Sequence, residues 1–174
     1  MEQLPAFDND RKCANVIIET PRGSSLKYSY QPASGTFYVK RILPPGMVFP
    51  FNFGFIPSTL GQDGDPVDIL LLNEEPAACG CLLQARLLAV VKVEQAEGGE
   101  TFRNDRLVGC IRDEESPDEV TRIEFNERRL AQIRFFFSTY NEFSGKEFKI
   151  LGTGDSQEAE RLVREGQKNF QNKK

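Results

Sequence analysis

The sequence predicts a mainly β fold with α-helices, of the α+β class: a strand-rich barrel with helices packed outside it. Two observations predict this. Through roughly the first two thirds of the chain, short runs of β-branched and aromatic residues alternate with clusters of Gly, Pro and Ser. In the last third, apolar residues recur at helical spacing. A chain of 174 residues, 39% of them hydrophobic, has material for one well-buried core but not for two ordinary domains, so residues 1–174 are expected to form a single domain.

The first strands are "NVIIET" (Asn15 to Thr20), "LKYSY" (Leu26 to Tyr30) and "TFYVKRI" (Thr36 to Ile42), separated by the turn formers "PRGSS" and "QPASG". They suggest an antiparallel meander, with Lys27 and Ser29 on one face and Tyr38 and Lys40 sharing another. From Leu43 to Pro66 the character changes: five of the ten prolines fall here, with Phe49, Phe51, Phe53 and Phe55 two apart. Each proline removes a ladder donor, so a long, rigid, partly extended loop packed by its aromatics is expected. "DILLLN" (Asp68 to Asn73) and "LLQARLLAVVKVE" (Leu82 to Glu94) follow as buried strands, then a polar loop, "QAEGGETFRND", and a shorter strand, "RLVGCI".

Helices come last. "SPDE" (Ser116 to Glu119) carries an N-terminal helix signal, with Pro at the first helical position. Beyond "FNERR", Leu130, Ile133, Phe136, Phe137 and Tyr140 form an apolar stripe. A final helix is expected to start near Asp155, which with Glu158 makes a capping box, and to run through Leu162, Val163 and Phe170.

Composition narrows the chemistry. A formal charge of −4 argues against bulk electrostatic binding of nucleic acid. No segment approaches the ~20 apolar residues of a membrane helix, and the first residues lack a signal-peptide run, so a soluble intracellular protein is expected. Cys13, Cys79, Cys81 and Cys110 lack zinc or redox spacing and read as reduced thiols. There is no histidine at all, which removes Ser-His-Asp and Cys-His nucleophiles and histidine-ligated zinc. Carboxylates, Lys, Arg, Tyr or a hard metal must carry any catalysis.

Those requirements meet at "DGDPVD", Asp63 to Asp68. A solvated turn is one reading, since Asp-Gly and Asp-Pro are ordinary turn dipeptides. An EF-hand is a second, but Val67 and Asp68 stand where that loop needs a ligand and a glycine. The third is a magnesium site: hard divalent ions prefer carboxylate oxygens, and Asp68 opens a buried strand that would fix it in place. Three like charges this close repel, and a cation relieves the repulsion.

"DGDPVD" resembles the signature of the soluble, Mg²⁺-dependent inorganic pyrophosphatases. The similarity extends in order and spacing through "VIIETP", "LKYSY", "SGTFYVKRI", "MVFPFNFGFIPSTLGQDGDPVDIL" and "AVVKV", and more weakly through "LVG" and the Phe/Tyr helix. The resemblance implies a five-stranded OB-like closed β-barrel with C-terminal helices outside, and a cytoplasmic homo-oligomer. It implies hydrolysis of pyrophosphate by metal-activated water with Mg²⁺ or Mn²⁺. By position, Asp63 and Asp68 match metal ligands, Asp65 the acid that orients or deprotonates the water, and Glu19 an acid at the far side of the metal cluster. Lys27 and Arg41 match cations on the phosphates, and Tyr140 a phenol that hydrogen-bonds a phosphoryl group.

This chain also departs from the family pattern. Ser29 stands where the family has an acid, Phe49 and Phe53 where it has tyrosines, and Asn141 where it has Lys. Aligning on "LVG" puts Asn104 at a metal-binding Asp and Arg106 at a Lys; Asp105 is a one-residue alternative that strand alternation points to the opposite face. Glu97 or Glu100 are the candidates to replace the family's loop acids. The alternatives are a hydrolase for another small phosphoanhydride, or a pseudoenzyme that binds a phosphate-containing ligand or a partner. "FNFGFI" also resembles the aromatic strand of cold-shock domains, whose rings stack on bases.

Overall fold

In the computed structural model, residues 4–8, 13–112 and 123–173 are described. Among them the order is β1 (Phe7–Asp8), β2 (Cys13–Thr20), β3 (Leu26–Gln31), β4 (Thr36–Ile42), β5 (Asn52–Phe55), β6 (Asp68–Leu71), β7 (Leu82–Glu97), β8 (Glu100–Arg103), β9 (Arg106–Ile111), α1 (Glu127–Glu142), β10 (Glu147–Asp155) and α2 (Ser156–Asn172). The helix expected at Ser116 to Glu119 lies outside the described residues.

Five strands close on themselves: β2 pairs with β5, β5 with β6, β6 with β9, β9 with β7, and β7 returns to β2. Of these contacts only β6–β9 is parallel. Closure removes the free edges of the sheet, as in OB-like barrels. One crossing leaves no space for a side chain: a Cβ on Gly54 would lie 2.3 Å from the Ile17 carbonyl oxygen of β2.

Alternate residues of the barrel strands enter two apolar clusters. Ile69 and Leu71 join Val16, Ile18, Val90 and Leu107, with Ala159 and Val163 of α2. Leu70 joins Phe53, Val91, Val93 and Val108, with Ile133, Phe136 and Phe137 of α1. Both helices are anchored at their starts. The Asn126 side chain accepts from the Arg129 N–H, and the Asp155 side chain accepts from the Glu158 N–H. Two residues before Leu70 stands Asp68, two before Val108 stands Arg106, and two beyond Val93 stands Gln95, so the α1-facing layer turns polar at one end.

The structure corrects or refines three expectations and adds an element. The three first strands do not form a continuous meander: β3 and β4 make a separate two-stranded sheet, while β2 pairs with β5 and β7. The proline-dense stretch contains an inner strand, β5, which fits between Pro50 and Pro57 and so needs no proline donor. The polar loop is the end of a hairpin, β7 and β8, turned by Gly98 and Gly99 at φ +62° and +86°. Strand β10 is an addition to the expected elements; two of its inward positions are Gly152 and Gly154, which carry no apolar signal.

Candidate active site

The acidic turn is folded by its own side chains. The Asp65 N–H donates to Asp63 Oδ1 at 3.2 Å and the Gly61 N–H to the Asp65 carbonyl at 2.7 Å, while Gly64 takes φ +85°. Helix α2 backs the turn through the Leu60 N–H, which donates to the Gly166 carbonyl at 2.9 Å. Asp63 is half-buried, Asp65 is exposed at the tip, and Asp68 turns inward to an ion pair with Arg106.

Strand β3 supplies the second half of the site. Lys27 is buried and donates to Glu19 Oε2 at 2.8 Å; the Tyr30 N–H and Ser29 hydroxyl donate to Glu19 Oε1 at 2.8 and 3.3 Å. Lys27 and Ser29 thus share one face, and the Ser hydroxyl serves the neighbouring carboxylate. The Lys27 ammonium sits 3.8 Å from the Phe53 ring centroid. The Arg106 guanidinium lies 4.6 Å from Phe137 and 5.5 Å from Phe53. Phe53 therefore contacts both buried cations through its ring, an interaction that needs no hydroxyl. Arg41 lies 5.6 Å from the Tyr140 ring. Phe49, Phe51, Phe53 and Phe55 are all buried, so these rings offer no exposed platform for bases.

Electrostatics joins these groups into one cluster. Burial raises the Asp63 carboxyl to about 6, and the nearby Asp68 charge adds to that rise. Burial also pushes Asp68 above the usual carboxylate range, against the pull of Arg106 and Lys27. Burial lowers Lys27 while Glu19 and Asp68 oppose the loss of its charge. Tyr140 is raised by burial, with Arg41 and Arg106 pulling the other way, so its phenol stays a donor. Glu19, Lys27, Arg41, Asp63, Asp68, Arg106 and Tyr140 thus all belong to one electrostatic neighbourhood.

Beside it runs a chain of neutral amides. Asn104 Nδ2 donates to Gln95 Oε1 at 2.8 Å, Gln95 Nε2 to Asn141 Oδ1 at 2.9 Å, and Asn141 Nδ2 to the Phe137 carbonyl at 2.7 Å. Gln95 is absent from the sequence-derived candidates, though a polar residue in phase with Val91 and Val93 on a buried strand is a signal that could have found it. Of the two glutamates offered as replacements for the loop acids, one is ion-paired and the other exposed. Glu97 pairs with Lys146 at 2.5 Å, and Glu100 is exposed opposite Glu97 at the hairpin end. Asp105 is held by Arg103 at 2.7 Å and accepts from the Val93 N–H at 2.9 Å.

The family model described as inorganic pyrophosphatase matches residues 16–171. The chain belongs to the inorganic pyrophosphatase family. Inorganic pyrophosphatase of Thermus thermophilus is 33% identical over 168 residues, 94% of each chain, and that of Aquifex pyrophilus is 33% identical over 174 residues, covering 97% and 96%. The crystal structure of the Thermus thermophilus inorganic pyrophosphatase superposes with a TM-score of 0.84 at 30% identity over 98% of both chains. For this pyrophosphatase-family barrel, a hard divalent cation is the implied cofactor.

The donor set fits such an ion. Asp63, Asp68 and Asn104 line one pocket between the acidic turn and α2. The Asp63 and Asp68 carboxylates crowd each other, and among the described residues the Asn104 carbonyl oxygen accepts no hydrogen bond. Among the described residues no three Asp, Glu, Cys or His side chains are gathered into a ready ligand cluster. The physical reason is visible: Asp68 is engaged by Arg106 and Glu19 by Lys27.

Proposed function

We propose that this chain hydrolyses inorganic pyrophosphate to two phosphates with Mg²⁺ or Mn²⁺, as one domain over residues 1–174, in the cytoplasm and as a homo-oligomer. Family membership supports pyrophosphate as the substrate. The observation that carries the site assignment is the pairing of two buried cations, Lys27 and Arg106, with the acidic turn: a polyanion and hard cations need this mixed lining. A further support is Arg106 Nε, a buried donor that lacks any partner among the described residues.

Bound at Asp63, Asp68 and Asn104, with Glu19 at the far side, a divalent ion would neutralise phosphoryl charge and lower the pKa of the attacking water. The chain's own groups do the rest. Lys27, Arg41 and Arg106 neutralise nonbridging phosphate oxygens, and the burial of Lys27 and Arg106 strengthens their contacts. Tyr140 keeps its proton and donates it in a hydrogen bond to the phosphoryl group. Asp65, exposed at the turn, accepts the proton of the attacking water. The ring wall of Phe49, Phe53 and Phe137 keeps bulk water from the cations.

A substrate panel tests this proposal. With Mg²⁺ present, phosphate release from pyrophosphate should exceed that from tripolyphosphate and nucleoside triphosphates. Preference for one of those compounds would assign a different phosphoanhydride. Calorimetric binding of pyrophosphate without phosphate release would instead assign a ligand-binding pseudoenzyme.

A further inference from the structure

The amide chain has a direction that chemistry fixes. A backbone carbonyl only accepts, so the Asn141 amide must turn Nδ2 toward Phe137 O, 2.7 Å away. Its Oδ1 then faces Gln95, which must present Nε2, at 2.9 Å. Gln95 Oε1 is left to face Asn104, which must present Nδ2, at 2.8 Å. Three successive amides thus transmit one orientation from the α1 backbone to the turn before β9. Gln95 and Asn141 are 5% and 2% exposed, so water does not compete for these bonds.

Asn104, at the end of this chain, lines a pocket together with Asp63 and Asp68. With Nδ2 committed to Gln95, the oxygen of Asn104 is the end left without a partner among the described residues. We propose that Gln95 and Asn141 are positioning residues that lock the Asn104 amide so that its oxygen, and not its NH₂, is offered to a divalent cation held by Asp63 and Asp68. The inference rests on the proposed cation site. Unlike a carboxylate, an amide has only one liganding end, so a neutral ligand needs a device that sets its flip. An NH₂ turned toward the ion would repel it.

The test is a Mn²⁺ titration of the full chain without pyrophosphate, read by the electron paramagnetic resonance of free Mn²⁺. It therefore gives an answer whether or not the chain turns over pyrophosphate. Gln95→Leu removes both relay bonds and should weaken Mn²⁺ binding about tenfold or more. In an Asn104→Asp background both terminal oxygens are ligands and one of them opposes the Gln95 Oε1 acceptor, so there Gln95→Leu should leave Mn²⁺ affinity unchanged or raise it, and not weaken it. Asn141→Leu, at the other end of the relay, should reproduce this pattern. Thermal melts in chelator identify any variant that does not fold, and Asn141→Leu keeps the test open if Gln95→Leu fails. Equal losses in the wild-type and Asn104→Asp backgrounds would show a merely structural role and overturn the proposal. Unchanged Mn²⁺ affinity in folded Gln95→Leu and Asn141→Leu would also overturn it. An absence of Mn²⁺ binding by the wild-type chain would reject the cation site beneath it.

Discussion

Asp63 is the side chain whose titration most directly reports the charge crowding in the acidic turn. Its carboxyl rises from 3.8 to about 6 on folding, through burial first and the Asp68 charge second. Between those values the folded chain binds more protons than the unfolded one, so stability is fully present below pH 3.8 and falls as pH rises through about 6. Asp63→Asn should therefore melt at a higher temperature than wild type at about pH 8 in chelator, and at a nearly equal temperature near about pH 3.5. Adding Mg²⁺ at the higher pH should reverse the order, because only the wild type then gains a ligated ion. A variant that melts lower in chelator at that pH would refute the crowding. Lys27 acts differently, because it is buried against Glu19. Lys27→Met leaves a buried carboxylate without its ion partner and should cost roughly 3–5 kcal/mol in urea unfolding. Adding Glu19→Gln should recover much of that stability but no catalysis. Arg106→Met should lower kcat/KM by about tenfold or more, from one lost charged hydrogen bond.

Helix α2 positions the turn that carries Asp63, through the Leu60 N–H bond to the Gly166 carbonyl. Gly166 lets it approach: a Cβ there would lie 3.0 Å from Val67 Cγ2 and 3.1 Å from Thr59 Cβ. Gly166→Val should cost about 1–3 kcal/mol by overpacking and weaken Mn²⁺ binding as the turn is displaced. Unaltered Mn²⁺ affinity in the destabilised variant would separate the helix from the site. The same contact shows what the sequence conceals. The strands of the barrel are legible because their apolar residues are buried from both faces, as in "DILLLN". The start of α2 is legible because Asp155 caps it. Strand β10 is hidden because glycine fills inward positions, and β5 because prolines bracket a pairing segment of only four residues. At the site, the acidic turn stands out as a local motif. The amide chain does not, since Gln95, Asn104 and Asn141 are remote in sequence and meet only when β7, the turn before β9 and α1 pack together.

As a whole, the chain carries a formal charge of −4, so its net field disfavours an anionic substrate. Lys27, Arg41 and Arg106 are the local exceptions, and two of these are already paired with carboxylates. Under the proposed function, recognition of a polyanion would depend on cations arriving at the acidic turn, which would free positive charge for the substrate as well as add it. Among the described residues no helix is long and apolar enough to cross a membrane. The most direct test is the rate of phosphate release from pyrophosphate as Mg²⁺ is titrated, for wild type and Asp68→Asn side by side. Release should be absent in chelator, rise to saturation with Mg²⁺ in wild type, and fall by at least about a hundredfold in Asp68→Asn, as expected if two charged contacts are lost. Release that persists in chelator, or that is equal in the two proteins, would contradict a cation-dependent site built on the acidic turn.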